Sequence, residues 1–208
     1  MLLALDTSSA AVTVALHDGT SVVAEDDTVD PLRHAELLAP AIRRVLETTG
    51  VAAADVRRIA VGVGPGPFTG LRVGVVTART MAAVLEVPLV GVCSLDVVAA
   101  GAGLPEPFAV ATDARRREVY WAWYYSDGRR VGEPVVSAPA LVATDAPVAG
   151  RGAALYPECF PRRAQPEYPS AADLAALIVA GRAELRPAEP LYLRRPDVAV
   201  PGPRKSVL

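Results

Sequence analysis

The sequence predicts an α/β protein in two halves, each built around its own sheet. Two observations support this fold class: short apolar runs alternate with amphipathic segments through the first hundred residues, and a strand-like pattern starts again after Gly101–Pro105. A third is the Asp18-Gly19 pair between two apolar runs, which is typical of a β-hairpin. With 51% hydrophobic and 21% charged residues, the composition excludes a disordered chain.

The first half has a definite element order. Asp30 and Pro31 suit the N-cap and first position of a helix that ends near Gly50, and Ser94 suits the cap of the third helix. The predicted elements are strands at 2–5, 11–16, 21–24, 59–63 and 89–92, and helices at 32–48, 71–85 and 95–100. This βββ-α-β-α-β-α order is the plan of the ribonuclease-H-like unit of the actin and sugar-kinase superfamily.

The second half repeats part of that plan. Strands are predicted at 108–111, 118–125 and 130–136, and a helix capped by Ser170 at 170–180, while most crossover helices are missing. We therefore expect two ribonuclease-H-like subdomains, residues 1–102 and 103–208, of which the second is reduced. The tail from Pro196 is expected to be mobile.

Charge and cysteine content exclude several classes of function. The net charge is −2, and this near-neutral balance is unlike that of a freestanding nucleic-acid binder. Lys205 is the single lysine, so lysine chemistry in the body of the fold is excluded. Two cysteines, an N-terminus without a basic region, and no apolar run of about 18 residues indicate a cytoplasmic protein without a membrane segment.

Two segments are candidates for nucleotide binding. The loop Gly64-Pro65-Gly66-Pro67 lies between a strand and a helix, where phosphates often bind, but its spacing fits neither a Walker loop nor a dinucleotide fingerprint. Asp6 and Ser8 follow the first strand, and Asp113 ends the corresponding strand of the second half. In the actin and sugar-kinase superfamily an acidic residue at the first position binds the magnesium of a nucleotide. The alternative is a structural turn in both places.

The histidines and one arginine-rich segment bear on metal and nucleic-acid binding. His17 and His34 lack metal-ligand spacing, so no metal site is expected. Arg115–Arg117 precede an aromatic strand, which is compatible either with RNA contact or with a solvated turn.

The second helix is apolar nearly all round. Gly70, Gly74, Ala78 and Ala82 recur at four-residue steps and predict a smooth row that another helix can approach closely. We interpret this row as part of a protein–protein interface, with a packed layer inside the chain as the alternative. On the first interpretation, Ala78→Arg should break the pairing and leave the fold intact.

Seven stretches of the chain resemble the bacterial TsaB (YeaZ-type) family. The block Gly64–Arg72 is the most specific of them, with Pro67 at a position where a small residue such as serine is expected. The matching stretches are Leu3–Ser8, His34–Leu38, Ala60–Gly74, Val90–Leu95, Asp113–Arg116, Glu118–Tyr120 and Tyr192–Arg194.

This resemblance implies a non-catalytic accessory subunit. Such proteins pair with a TsaD-type transferase and work with a TsaE-type ATPase to form threonylcarbamoyladenosine next to the anticodon of tRNA. ATP and metal then belong to the partner subunits, no cofactor belongs to this chain, tRNA is met through the complex, and the isolated chain is a possible homodimer. By position, the expected partner-binding residues are His34, Leu37, Leu38, Ala41, Gly70, Val73, Gly74, Ala78 and Met81. The alternative function is a small nucleotide-dependent phosphotransferase of the same fold, using Asp6, Ser8 and Asp113.

Overall fold

Two sheets form the framework of the protein. The computed structural model describes residues 1–194, so the predicted mobile tail from Pro196 lies outside the described residues. The larger sheet has six strands in the order β10-β5-β4-β1-β2-β3, and the smaller has four in the order β8-β7-β6-β9. The strands are β1 Leu2–Asp6, β2 Ala11–His17, β3 Val22–Val29, β4 Arg58–Gly62, β5 Leu89–Val92, β6 Phe108–Asp113, β7 Val119–Tyr124, β8 Arg130–Ser137, β9 Val148–Ala149 and β10 Leu185–Arg186.

The larger sheet begins antiparallel and continues parallel. β1 pairs antiparallel with β2, which pairs antiparallel with β3, while β4 lies parallel to both β1 and β5. Every residue of β1 and β2 is buried, because helices cover both faces of these central strands. The five strands of the first half therefore follow the ribonuclease-H-like plan that their order predicted.

Three helices cover the larger sheet. The helices of the described chain are α1 His34–Thr49, α2 Phe68–Leu85, α3 Ser94–Ala102, α4 Arg151–Leu155 and α5 Ala171–Val179, and the three on this sheet are α1, α2 and α5. α1 and α2 pack on the face that carries Leu3, Leu5 and Val14. α5 packs on the opposite face, against Leu2 and Ala4. A helix and a strand, α5 and β10, thus return from the second half to complete the first sheet.

The smaller sheet is the reduced copy. β6, β7 and β8 form an antiparallel meander, and the short β9 adds in parallel beside β6. α3 joins the two sheets, since Leu95 and Val98 pack with Phe108 and Tyr124 in one core cluster. The division of the chain at residue 102 stays a prediction.

Three of the predicted helix starts were wrong. α2 begins at Phe68, directly after Pro67, and not at residue 71. α1 begins at His34 because the Asp30 carboxylate accepts hydrogen bonds from the amides of Leu32 and Arg33, which makes a capped turn ahead of the helix. Ser94 is the first residue of α3, but its hydroxyl faces Asp6 instead of capping the helix. In contrast, Gly50 ends α1 in the left-handed conformation, as predicted.

α2 is the longest helix of the described chain. Its 18 residues have a mean hydropathy of 1.3, so by length and composition this helix could span a membrane. No apolar segment of that length was expected from the sequence. A core helix of a soluble protein meets the same criterion of length and composition, and Leu71 and Val75 of α2 are buried against the sheet. This criterion alone is weak evidence for a membrane segment.

Candidate functional site

Asp6 lies at the carboxyl end of β1 and has no exposed surface. Its Oδ1 accepts hydrogen bonds from the amide and the hydroxyl of Ser8, both at 2.7 Å, and its Oδ2 accepts one from Ser94 Oγ at 2.6 Å. Burial raises the pKa of this carboxyl group, and the hydrogen bonds from Ser94 and Ser8 oppose that rise. The carboxylate therefore holds the first turn to α3 and does not face solvent.

The glycine-proline loop packs directly on this turn. A Cβ atom at Gly62 would overlap the Asp6 carboxylate, and one at Gly66 would overlap the carbonyl group of Ser8. Ser94 Oγ also accepts a hydrogen bond from the Gly64 amide at 3.0 Å. The glycines thus allow the loop to approach the end of β1 closely.

A cleft of about 260 Å³ opens beside Ser8. Asp113 and Arg151 line it as well, so two of the three predicted nucleotide-binding residues, Ser8 and Asp113, lie on one cleft while Asp6 lies beneath. Arg151 is paired with Glu167 at 2.7 Å. Within residues 1–194, no group of three or more His, Cys, Asp and Glu side chains is placed to hold a metal ion.

A polar cluster connects α1 and α2 to the end of β1. His34 Nε2 donates to the carbonyl group of Ser9 at 2.7 Å. Thr7 Oγ1 donates to the Gly70 carbonyl at 2.7 Å and accepts from the Gly74 amide at 3.0 Å. A Cβ atom at Gly74 would overlap Thr7 Oγ1, so the glycines of α2 permit its close approach to β1.

The row of small residues on α2 faces this chain's own core, and the prediction that it faces a partner helix is corrected. The row lets α2 pack closely on β1 and β4. Six of the nine expected partner-binding residues are buried in the chain, namely His34, Leu38, Ala41, Gly70, Gly74 and Ala78. The other three, Leu37, Val73 and Met81, are partly exposed. Their role in partner binding stays a prediction.

The outer face of α2 carries an uncharged stripe that sequence reasoning did not single out. Val76 and Val84 are 57% and 76% exposed, at one and three turns beyond Val73. The signal for this stripe was present in the sequence, since α2 is apolar nearly all round and a sheet covers one side only. We name the stripe the α2 outer face; it comprises Thr69, Val73, Val76, Thr77, Thr80 and Val84.

A turn of three arginines follows β6. Arg115, Arg116 and Arg117 all have positive φ, between 55° and 60°. On the side of α2 nearest this turn, the rings of Phe68 and Tyr192 stack with centroids 5.5 Å apart. One groove on the surface is lined by both rings and by two of the three arginines, Arg115 and Arg116.

Comparison with known proteins identifies the family. Residues 30–156 match the family model described as TsaD: tRNA N6-adenosine threonylcarbamoyltransferase. A crystal structure described as YeaZ from Pseudomonas aeruginosa has 36% sequence identity and a TM-score of 0.77, covering 92% of this chain and 99% of that one. The chain belongs to the TsaB/YeaZ family. The resemblance noted in the sequence and the predicted fold class are both confirmed.

The alignments between this chain and its relatives cover different shares of each relative's length. An uncharacterized protein of Mycobacterium tuberculosis is 42% identical over 200 residues, which cover 94% of this chain and 92% of the relative. The Escherichia coli protein named tRNA threonylcarbamoyladenosine biosynthesis protein TsaB is 38% identical over 130 residues. That alignment covers 61% of this chain and 55% of the relative. This chain also covers only about half, 55%, of the length of an uncharacterized Mycobacterium leprae relative. Family membership connects the chain to threonylcarbamoyladenosine biosynthesis.

Proposed function

We propose that this chain is a non-catalytic subunit of a cytoplasmic assembly that forms threonylcarbamoyladenosine in tRNA. It pairs with a TsaD-type transferase and works with a TsaE-type ATPase. The observation that carries the pairing is the α2 outer face, where Val76 and Val84 are exposed on a stripe of valines and threonines that borders the exposed Arg72 and Arg79. An exposed apolar stripe on a globular chain favours a protein interface.

The α2 outer face also explains how the isolated chain can pair with itself. Leu37 of α1 is partly exposed and packs against the same core cluster as Val73 and Met81 of α2, so both helices offer partly exposed apolar side chains. A two-fold axis through this surface would cover it with the same surface of a second copy. Homodimer and heterodimer then compete for one face.

The chain is proposed to contribute no nucleotide-binding or metal-binding group of its own. Asp6 is the residue that would hold magnesium in a related phosphotransferase, and its carboxylate already accepts three hydrogen bonds with no exposed surface. Replacing those bonds with a metal would require the first turn and α3 to separate. ATP and metal are therefore assigned to the partner subunits.

One observation favours the phosphotransferase alternative. Ser8 and Asp113 line the same cleft, and the Thr112 hydroxyl there has no hydrogen-bond partner within the described residues. A buried hydroxyl without a partner is rare and suits a bound ligand. Titration of the full chain with MgATP separates the two functions: tight binding that Asp113→Asn abolishes supports the phosphotransferase, and no binding supports the subunit.

Reconstitution tests the proposed function directly. Threonylcarbamoyl transfer to tRNA is measured with the transferase and ATPase subunits, with and without this chain. We expect activity only when the chain is present. Full activity in its absence would contradict the proposal.

A variant of the α2 outer face tests the pairing. Val76→Arg should weaken co-elution with the transferase by about ten-fold or more, because a buried interface would hold an unpaired guanidinium. Val135→Arg is the matched control, since Val135 is 45% exposed on β8, in the other sheet. Equal co-elution of both variants with the transferase would exclude the α2 outer face as the interface.

A further inference from the structure

The arginine turn has a left-handed backbone conformation that arginine rarely adopts. Arg115, Arg116 and Arg117 have φ values of 59°, 55° and 60°, in a region where glycine or asparagine is usual. Asparagine or glycine would form this turn at lower free energy, so the fold does not require arginine there. Strained residues of this kind concentrate at binding sites.

The turn is held rigidly by its own hydrogen bonds. The Arg115 amide donates to Asp113 Oδ1 at 2.7 Å, and the Glu118 amide donates to the Arg115 carbonyl at 3.0 Å. The three arginine side chains are exposed. Arg115 is 60% exposed and its ion pair with Asp113 is long, at 3.4 Å. The turn therefore presents cationic groups to solvent from a fixed backbone.

An aromatic platform lies next to the turn. Phe68 and Tyr192 stack at an interplanar angle of 25° and remain 42% and 41% exposed. The guanidinium group of Arg72 lies 4.7 Å from the centre of the Phe68 ring. Exposed stacked rings with a flanking cation offer a surface on which a nucleobase can stack.

Three grooves meet at Arg115. Their volumes are about 260, 340 and 380 Å³, and Arg115 and Pro67 line all three. The first groove leads to Ser8 and the third leads to Tyr192. A chain-like ligand can therefore pass Arg115 and reach the aromatic platform along one continuous surface.

The local charge is positive although the whole chain carries −2. Three arginines line the third groove, and the guanidinium group of Arg72 lies on the Phe68 ring beside it. The two nearby carboxylates, Asp113 and Glu118, are paired with Arg115 and Arg194. The three that line the groove are Arg115, Arg116 and Arg194. A cationic groove with an aromatic platform matches the sugar-phosphate backbone and bases of a single strand.

We propose that the arginine turn and the Phe68–Tyr192 platform bind single-stranded RNA, with phosphates on Arg115 and Arg116 and a base on the platform. This inference rests on the proposed function, because the RNA it names is the anticodon loop of a tRNA. It assigns to this subunit a direct contact with the substrate. The groove binds phosphates in sequence along the strand, so a mononucleotide binds it more weakly than a loop does.

The first test changes the cations without straining the turn. Binding of a fluorescent anticodon stem–loop RNA to the full chain is followed by anisotropy at several salt concentrations. In the double variant Arg115→Asn and Arg116→Asn, the affinity should fall about ten-fold and the log–log salt slope should decrease by roughly 1.4. The thermal midpoint should not fall, because asparagine tolerates the left-handed conformation. Unchanged affinity and slope would overturn the proposal.

A matched control lies at the opposite end of β7. Arg129 is an exposed arginine on the next hairpin, and its guanidinium lies 5.4 Å from the centre of the Tyr125 ring. Arg129→Asn and Tyr125→Leu should leave RNA affinity unchanged, whereas Tyr192→Leu should lower it about ten-fold through lost stacking. An equal loss in both pairs would show nonspecific charge attraction and would overturn the site.

Two further readouts separate this inference from the proposed function. If reconstitution fails but the RNA affinities follow the pattern above, the proposed function fails and the RNA site stands. If reconstitution succeeds and the arginine variants bind RNA and support transfer as the wild type does, the RNA site fails and the proposed function stands. If ATP displaced the RNA and bound with the same affinity as the RNA, the proposed recognition of the RNA sugar-phosphate backbone would be overturned.

Discussion

At the residue scale, two neighbouring carboxylates on β3 behave in opposite ways. Asp26 accepts two hydrogen bonds from Arg44 of α1, at 2.6 and 3.0 Å, and the hydrogen bond from this guanidinium lowers its pKa. Asp27 is an exposed residue on the other face of the strand, and partial desolvation of its carboxyl group together with the charges of Glu25, Asp26 and Asp173 raises its pKa to about 6. Alternation along a strand thus gives adjacent residues of one type different environments.

Asp27→Asn should stabilise the protein at neutral pH. Because the folded-state pKa of Asp27 is raised, its contribution favours folding below about pH 4 and is lost as the pH rises through about 6. The variant should gain about 1 kcal/mol in the free energy of unfolding at pH 7.5, a value reduced for solvent screening, and nothing at pH 4. Urea denaturation at both pH values measures this difference.

Asp26→Asn is the control, with the opposite sign expected. Its lowered pKa means that the ion pair with Arg44 stabilises the fold above the unfolded-state pKa and is lost as the pH falls. The variant should be less stable than the wild type at pH 7.5, and the difference should shrink toward pH 3. A gain in stability in both variants would show that general charge reduction is the cause.

At the element scale, α2 has two faces that differ in their tolerance of charge. Ala78 has no exposed surface and lies in the core between the helix and the sheet, whereas Val76 is 57% exposed two residues earlier. The glycines Gly70 and Gly74 on the same side as Ala78 approach Thr7 closely. The inner face therefore contributes to folding, and the outer face is available to a partner.

Ala78→Arg should lower the free energy of unfolding by about 4 kcal/mol or more, because it places an unpaired charge in a packed core. Val76→Arg should change it by less than about 0.5 kcal/mol, as expected for an exposed site. Urea denaturation of the two variants tests this contrast within one helix. Wild-type stability of Ala78→Arg would restore the interpretation of the small-residue row as an interface.

At the scale of the whole molecule, one ionic group links the two halves. Arg130 of β8 donates to both carboxylate oxygens of Asp96 on α3, at 2.7 Å each, and its side chain is only 4% exposed. Tyr124 of β7 donates to the same carboxylate at 2.8 Å. Burial raises the pKa of Asp96 even though Arg130 lowers it. These hydrogen bonds join the smaller sheet to α3, the helix that follows β5 of the larger sheet.

Arg130→Ala should destabilise the protein by about 3 kcal/mol at pH 7, since it leaves Asp96 buried without its counter-charge. The loss should diminish at acidic pH, where protonated Asp96 needs no counter-charge. Glu133→Gln is the control, because Glu133 of β8 pairs with Arg186 of β10 in the other sheet but is 71% exposed. It should cost less than about 1 kcal/mol. Equal losses in the two variants, measured by urea denaturation, would contradict this assignment.

Much of the first half could be predicted because its elements are local. Val90 and its neighbours in β5, and the helix that ends at Gly50, carry periodicity and stop signals within a few residues. The short strands β9 and β10 carry no such signal. Each has two residues, and each forms only because a distant strand offers it hydrogen bonds.

The candidate site, like the fold, could be predicted from the sequence only in part. The sequence by itself determined the family, the order of strands and helices in the first half, and the presence of an arginine turn beside aromatic residues. Only the tertiary structure decided that Asp6 is enclosed by Ser8 and Ser94, and that the small residues of α2 face inward while Val76 faces out. The physical reason is that periodicity reports which residues share a face, whereas burial depends on contacts such as Ser94 with Asp6, 88 residues apart.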